Sequence, residues 1–191
     1  MKEILMKYME KYTKLKREEQ QAIIEAIVIK EFKKGTDLIK QGDYPTKNCF
    51  FVLKGCVRQY HLEIDGKEVT TNFYTEEQAI LLFQFEKANQ VSKHSINCLE
   101  DCVLVVANLE SEQIMYKQYA ELESMTRRMM ESFLIQTQNE YGQFIRSSPE
   151  ERYKAIIRNR ADLLQRVPQH QLASYLGITP ESLSRIKKRI Q

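Results

Sequence analysis

Residues 168–191, PQHQLASYLGITPESLSRIKKRIQ, constrain the fold of this chain more than any other segment. Apolar residues recur there at the spacing of two helix faces: Leu172, Ala173 and Leu176, then Leu183, Ile186 and Ile190. Gly177 stands between the two helices, where a tight turn needs a residue that tolerates positive φ. Thr179 can cap the second helix, and Pro180 suits its first turn. The spacing predicts a helix-turn-helix.

The second of these helices carries a polar stripe opposite its apolar face. The stripe comprises Glu181, Ser184, Arg185 and Lys188, with Ser182 beside it. An arginine can donate two hydrogen bonds to guanine, and a glutamate can accept one from cytosine. We therefore expect Arg185 and Glu181 to read base edges in the DNA major groove, with neighbouring polar groups on phosphates. The predicted DNA-binding set is Gln169, His170, Thr179, Pro180, Glu181, Ser182, Ser184, Arg185 and Lys188.

An ordinary helical hairpin with a solvated charged face is the competing interpretation of this stripe. Arg185 could then simply pair with Glu181 one turn away. The distribution of charge favours DNA. Residues 149–191 carry nine Lys or Arg against four Asp or Glu, although the net charge of the whole chain is only +3. A positive end suits a polyanionic partner.

The composition, 42% hydrophobic and 29% charged, is typical of a globular chain. No apolar run approaches the ~20 residues of a membrane span, and the charged residues 1–16 do not fit a secretory signal. We therefore expect a cytoplasmic protein without membrane contact. The sequence contains no nucleophile elbow, phosphate-binding loop or paired-carboxylate motif, so we expect no enzymatic activity and no cofactor.

The four cysteines are Cys49, Cys56, Cys98 and Cys102, and none of them forms a CxxC pair or has metal-ligand spacing. We expect buried, reduced thiols and no bound metal. If Cys98 and Cys102 lie on one straight strand, they are roughly 13 Å apart and cannot bridge.

The pattern of the sequence changes twice before the C-terminal segment. Residues 1–30 have helical spacing. Between residues 31 and 109, turn signals separate short β-prone runs, which predicts an antiparallel β-roll or barrel. The expected strands are Asp37–Lys40, Asn48–Leu53, Val57–Glu63, Glu68–Tyr74 and Ser95–Ala107. Asp65-Gly66 marks a tight hairpin between two of them.

Residues 110–146 carry a long apolar stripe, which predicts one helix of about 35 residues, ~50 Å in length. Pairing with a second copy is the economical way to cover it, although the β-roll could cover part. Ser148 and Pro149 then start a new helix. The predicted domains are residues 1–109 with the β-roll, residues 110–147 with the dimerisation helix, and residues 148–191 with the helix-turn-helix.

The chain resembles the Crp/Fnr family of bacterial transcription regulators, in the branch common in Bacteroidetes-type bacteria. The matching segments are Pro149–Tyr153, Arg166–Gln169, the run LASYLGITPESLSRIKK and, upstream, Gly35–Tyr60. The resemblance implies an α+β fold with a cyclic-nucleotide-binding-like antiparallel β-roll, a long dimerisation helix and a winged-helix-like helix-turn-helix domain. It also implies a homodimer on a palindromic double-stranded DNA operator, with RNA polymerase as a further partner. The family's base-contacting positions fall on Pro180, Glu181 and Arg185, and Pro180 departs from a frequent arginine.

The resemblance is weakest where members of this family bind a nucleotide. Leu81 and Leu82 replace a Gly-Glu pair, and Ser92, Lys93 and His94 replace an Arg-Ser-Ala-type run. Leucine cannot hydrogen-bond a ribose, and lysine does not reproduce a bidentate arginine. We therefore expect an orphan or degenerate small-molecule sensor that does not use cyclic AMP. Its candidate effector pocket comprises Leu82, Ser92, Lys93 and His94.

Two other known signals of the family are also poorly supported. Residues 1–48 contain no cysteine that could hold an iron–sulfur centre, and His61 and His94 are candidate haem ligands by residue type alone. The alternative function is a ligand-binding module that works through protein partners, with weak or lost DNA binding.

Overall fold

A computed structural model describes residues 2–44, 48–81 and 91–190. Two helices come first, α1 (Lys2–Tyr12) and α2 (Arg17–Ala26). Within the described ranges the strands are β1 (Val28–Phe32), β2 (Asp37–Ile39), β3 (Asn48–Lys54), β4 (Val57–Leu62), β5 (Glu68–Tyr74), β6 (Ala79–Leu81), β7 (Ser95–Cys98) and β8 (Cys102–Asn108). The later helices are α3 (Leu109–Gln118), α4 (Ala120–Arg146), α5 (Pro149–Asn159), α6 (Leu163–Arg166), α7 (Gln169–Tyr175) and α8 (Pro180–Ile190).

The strands form two antiparallel sheets, in the orders β1-β8-β3-β6 and β2-β7-β4-β5. The sheets pack on each other around an apolar core, the roll core: Ile39, Phe50, Val52, Val57, Tyr74, Ile80, Ile96, Cys98, Cys102 and Leu104. Side chains alternate along a strand, so Phe51 and Leu53 of β3 face the other way and pack under the helices. The structure confirms the predicted α+β class and its antiparallel β-roll.

The strand predictions were correct for most of the roll, but β1 and β6 were not predicted and one predicted strand is two. Residues 28–30 were expected to be helical, but they begin β1, which pairs along its length with β8. The backbone of Ile27 ends α2 in an extended conformation and starts that strand. Residues 95–107 are two strands rather than one, because a turn at residues 99–101 separates β7 from β8.

This turn changes the expectation for the cysteines. It places Cys98 and Cys102 on two different strands, so the premise of one straight strand was wrong. All four cysteines are buried and free. The expected hairpin at Asp65-Gly66 is present: the N–H of Gly66 donates to the carbonyl of Glu63 at 2.9 Å, and Gly66 has φ of +82°.

The single long helix predicted for residues 110–146 is interrupted at Tyr119. This residue leaves the helical conformation, with φ of −131° and ψ of 85°, and its side chain packs on the helix-covered face of the roll. The break lets α3 and the start of α4 fold together over this face, where Leu122 and Met125 are buried. Helix α4 then continues to Arg146, and as a whole it has 27 residues and a length of about 40 Å.

Helix α5 begins where Ser148 and Pro149 predicted a helix start. The hydroxyl of Ser148 accepts from the N–H of Glu151, and the carboxylate of Glu151 accepts from the N–H of Ser148 at 2.7 Å. This reciprocal capping box fixes the entry of the chain into the C-terminal helices. No helix in the described part of the chain is both long enough and apolar enough to cross a membrane.

Gly55, in the turn between β3 and β4, tolerates no side chain. A Cβ there would lie 2.5 Å from Sγ and 2.8 Å from Cα of Cys102, and φ is +108°. We expect Gly55→Ala to lower the free energy of unfolding by about 2–5 kcal/mol, from strain at positive φ and overpacking. Gly66→Ala is the control, since it has the same backbone strain but open space, and should cost about 1–2 kcal/mol. Chemical denaturation measures both, and equal losses would contradict the steric argument.

Candidate DNA-binding surface

The helix-turn-helix forms as the sequence predicts. Helices α7 and α8 are joined by a tight turn in which Gly177 has φ of +73° and its N–H donates to the carbonyl of Ser174 at 3.0 Å. The N–H of Ile178 donates to the carbonyl of Ala173 at 3.0 Å. The apolar residues chosen from their spacing line the inside of the pair: Leu172, Ala173, Leu176, Leu183 and Ile186 are buried, and Ile190 is half-buried.

Thr179 caps α8. Its hydroxyl oxygen accepts from the N–H of Ser182 at 3.2 Å, and its carbonyl accepts from the N–H of Leu183 at 3.0 Å. The backbone at the start of α8 and the hydroxyl of Thr179 lower the pKa of Glu181, and the positive charge of Arg185 adds to this effect. Glu181 therefore carries its negative charge at neutral pH, as an acceptor for a base amino group requires.

The polar stripe of α8 faces solvent. Glu181, Ser184, Arg185 and Lys188 are exposed, while Ser182 is half-buried. No ion pair engages Arg185 or Lys188 within the described residues, so the competing Glu181–Arg185 pair does not form. Both cations are therefore available to a ligand.

The other residues of the predicted DNA-binding set lie beside the polar stripe, and they differ in their contacts. Gln169 and His170, at the start of α7, and Pro180 are exposed. The side-chain oxygen of Gln169 accepts from Lys187, which joins the first turn of α7 to α8. Arg189 pairs with Glu150 at 3.3 Å and joins α8 to α5. These two contacts link α8 to α7 and to α5 at the surface.

Three of the four predicted effector residues lie in the described part of the chain, in the turn before β7. Leu82 lies outside the described residues. Ser92 is buried, and its hydroxyl donates to the carbonyl of His94 at 2.7 Å, so it closes a turn. Lys93 is exposed. The ring of His94 lies 6.2 Å from that of His61, and burial, His61 and Lys93 lower its pKa.

Sequence reasoning missed the contact that holds the C-terminal helices on the roll. One apolar core, the shared core, joins the two parts: Cys56 and Phe73 from the roll pack with Tyr153, Ile156, Leu163, Val167, Leu172, Ala173, Leu176, Leu183 and Ile186. The hydroxyl oxygen of Ser174 in α7 accepts from the N–H of Thr70 in β5 at 2.9 Å. Arg160 donates to the carbonyl of Phe73 at 2.8 Å.

Arg166, at the end of α6, is the polar centre of this contact. Its guanidinium donates to both carboxylate oxygens of Glu76 at 2.8 and 2.9 Å, and to Glu100 at 2.5 Å. Burial alone would raise the pKa of Glu76, but the hydrogen bonds from Arg166 and from the N–H of Gly55 outweigh it and lower the pKa. Glu76 and Glu100 are far from Arg166 in sequence, so no local pattern marks this network.

The β-roll and the helix that follows it match a known type of domain. Residues 29–119 match the model of the cyclic nucleotide-binding domain. No curated protein matches the chain. Among the described residues, no group of His, Cys, Asp and Glu side chains has the arrangement of a metal site.

Several solved structures have the same fold. FixK2 from Bradyrhizobium japonicum aligns with a TM-score of 0.66 at 16% identity, over 86% of this chain and 84% of that one. The c-di-GMP-responsive regulator CLP from Xanthomonas campestris aligns with a TM-score of 0.66 at 16% identity, over 92% of both chains. A putative transcriptional regulator of the Crp/Fnr family from Eubacterium rectale aligns with a TM-score of 0.65 at 18% identity, over 93% and 84%. At these identities the likeness shows a shared fold: a β-roll followed by C-terminal helices.

The Arg166 network predicts a defined acid sensitivity. Because the folded pKa of Glu76 is lowered, its stabilising effect is complete above the unfolded value and is lost as the pH falls through the folded value. We expect the free energy of unfolding to fall in acid, below about pH 4.5, and to fall less steeply in Glu76→Gln. Circular dichroism during urea unfolding at a series of pH values measures this. Glu10→Gln, an exposed acid on α1, is the control and should keep the wild-type pH dependence; identical curves for all three proteins would rule out the network.

Proposed function

We propose that this chain is a sequence-specific DNA-binding transcription regulator of Crp/Fnr type, which acts as a homodimer in the cytoplasm. The observation that carries the proposal is the division of α8 into two faces. One face is buried in the shared core, and the other presents Glu181, Ser184, Arg185 and Lys188 to solvent without ion pairs to Arg185 or Lys188 within the described residues.

The geometry of α8 suits the major groove. An α-helix with its side chains is about 10–12 Å across, and the groove is about 12 Å wide. Arg185 can donate to guanine O6 and N7, and the ionised Glu181 can accept from cytosine N4. Gln169, His170 and Lys188 are exposed at the edges of this surface, where phosphates pass, and they position the helix without reading sequence. Thr179 and Pro180 shape the start of the helix, and Ser182 and Ser184 add adaptable donors.

The free part of α4 supports the dimer. Beyond its contact with the roll, this helix exposes large apolar side chains: Leu134, Ile135, Tyr141 and Ile145 are 58–68% exposed. Leu134 and Tyr141 are seven residues apart, and Ile145 follows one turn later, which is the spacing of a seam between two helices. We propose that a second copy of α4 covers this seam, so that two α8 helices read a palindromic site with half-sites about 10–11 bp apart.

The β-roll is proposed as an orphan or degenerate sensor that does not use cyclic AMP. The roll core fills the space between the described strands with bulky side chains such as Phe50, Tyr74 and Ile80. Ser92 is engaged in a turn, and Leu81 offers no polar group to a ribose. RNA polymerase is proposed as the partner through which a DNA-bound dimer acts, in line with the resemblance to Crp/Fnr regulators.

Arg185→Ala tests the base-reading role directly. On the duplex that the wild-type chain binds most tightly, we expect a loss of about 1–3 kcal/mol, or roughly 5- to 150-fold in Kd, with little change on unrelated duplexes. Fluorescence anisotropy with labelled duplexes measures both. Arg17→Ala, which removes an exposed arginine from α2, is the matched control and should bind like the wild type.

Light scattering should give about twice the monomer mass of 22.6 kDa for all three proteins, which separates a DNA-contact defect from a failure to dimerise. An equal loss on every duplex would assign Arg185 to phosphate. An Arg185→Ala chain that binds as tightly as the wild type would refute the proposed recognition surface. If the wild-type chain prefers no duplex at all, the function as a module working through protein partners is favoured instead.

A further inference from the structure

A large apolar cavity lies outside the β-roll, between one sheet and four helices. Its volume is about 590 Å³, within the range of about 300–1,000 Å³ typical of small-molecule sites. The floor is the helix-covered face and edge of the β1-β8-β3-β6 sheet, and α1, α2, α3 and the first turns of α4 form the walls. The cavity lies on the side of this sheet that faces the helices, although Phe50 of the roll core also reaches its lining.

The walls are built to adapt to an apolar molecule. Five methionines line the cavity: Met9, Met115, Met125, Met129 and Met130. Methionine is unbranched and polarisable, and it fits irregular apolar shapes better than a branched side chain. The aromatic rings of Tyr8 and Phe51 also line the cavity, with centroids 5.3 Å apart.

One acid interrupts this apolar lining. Glu112 of α3 is half-buried in the cavity wall. Within the described residues its side chain has one hydrogen-bond partner, the thiol of Cys49, at 3.5 Å from Sγ to Oε1. A thiol is a weak donor. Burial raises the pKa of Glu112, and the bond to Cys49 offsets this only in part. No described residue therefore gives this carboxyl the strong donor or positive charge that would stabilise its ionised form.

We propose that this cavity binds an apolar small molecule with an amine or hydroxyl end, with the apolar body among the methionines and the donor on Glu112. A ligand amine would bring to this half-buried carboxyl a positive charge that no described residue supplies. A carboxylate ligand is disfavoured, because two like charges would share an apolar site. The proposal is independent of DNA binding, since none of the residues of α8 lines the cavity.

A second copy of the chain is a poorer occupant. Most of the floor and the inner wall, including Leu5, Met9, Ile23 and Val105, is already buried within one chain. The apolar side chains that α4 does expose, from Leu134 onward, lie beyond the cavity.

Three matched naphthalene probes test the proposal: naphthylmethylamine, naphthylmethanol and naphthoate. The chain contains no tryptophan, so probe emission can be followed without indole interference. With the full-length wild-type chain we expect saturable binding of the amine and the alcohol at one site per chain. Binding of naphthoate should be at least about tenfold weaker, the effect of some 1.4 kcal/mol of charge repulsion and desolvation.

Two variants locate the site. Glu112→Gln should weaken the amine by about tenfold and abolish the discrimination against naphthoate, since it removes the charge and keeps the shape. Ala107→Phe, near the end of β8 in the floor of the cavity, should weaken all three probes by filling the space. Glu121→Gln removes an exposed acid of α4 outside the cavity and is the control.

The proposal fails if no probe binds saturably, if naphthoate binds most tightly, or if Glu112→Gln binds the probes as the wild type does. A probe that binds only by splitting the dimer in light scattering would also overturn it, by assigning the cavity to a second copy. If Ala107→Phe does not fold by circular dichroism, the probe selectivity of Glu112→Gln decides alone.

Discussion

The contact between the C-terminal helices and the β-roll is the interaction on which the remaining structure depends. The shared core makes the helix-turn-helix an extension of the roll, because Phe73 and Cys56 bury the inner faces of the same helices that present α8. Arg166 adds direction to this apolar contact. Its bidentate bond to Glu76 has one geometry, whereas apolar packing tolerates small rotations. The Arg166 network and the shared core together therefore fix the angle between the helix-turn-helix and the roll.

The same network connects this contact to the interior of the roll. Glu76 also accepts a hydrogen bond from the N–H of Gly55 at 2.8 Å, and Gly55 packs directly on Cys102. A movement of β8 at Cys102 would be transmitted to Arg166 through Gly55 and Glu76. The large apolar cavity lies on the other side of the same sheet, where Val105 and Val106 of β8 line its floor. Strand β8 therefore lines the proposed ligand site. Through Cys102 and Gly55 it also contacts the Glu76–Arg166 network that supports the helix-turn-helix.

The sequence predicted the features that depend only on interactions between residues close together in the chain. The apolar spacing of Leu172, Leu176 and Leu183, the turn at Gly177 and the cap at Ser148 or Thr179 each depend on neighbours within a few residues, and the structure places them as expected. The break at Tyr119 was not predictable in this way, because it is set by packing on a sheet whose strands lie elsewhere in the sequence. Arg166, Glu76 and Glu112 act through partners distant in the chain, so a single sequence gives no spacing that marks them.

Selection from a pool of random DNA duplexes tests the central claim most directly, because the chain itself picks out the sequence that it binds. The account predicts that the wild-type chain enriches one motif with two-fold symmetry and half-sites about 10–11 bp apart, as two α8 helices joined by a helical seam require. Failure to enrich any motif would contradict the proposal of sequence-specific binding. Enrichment of a single unsymmetrical half-site would leave α8 as a reader but contradict the dimer.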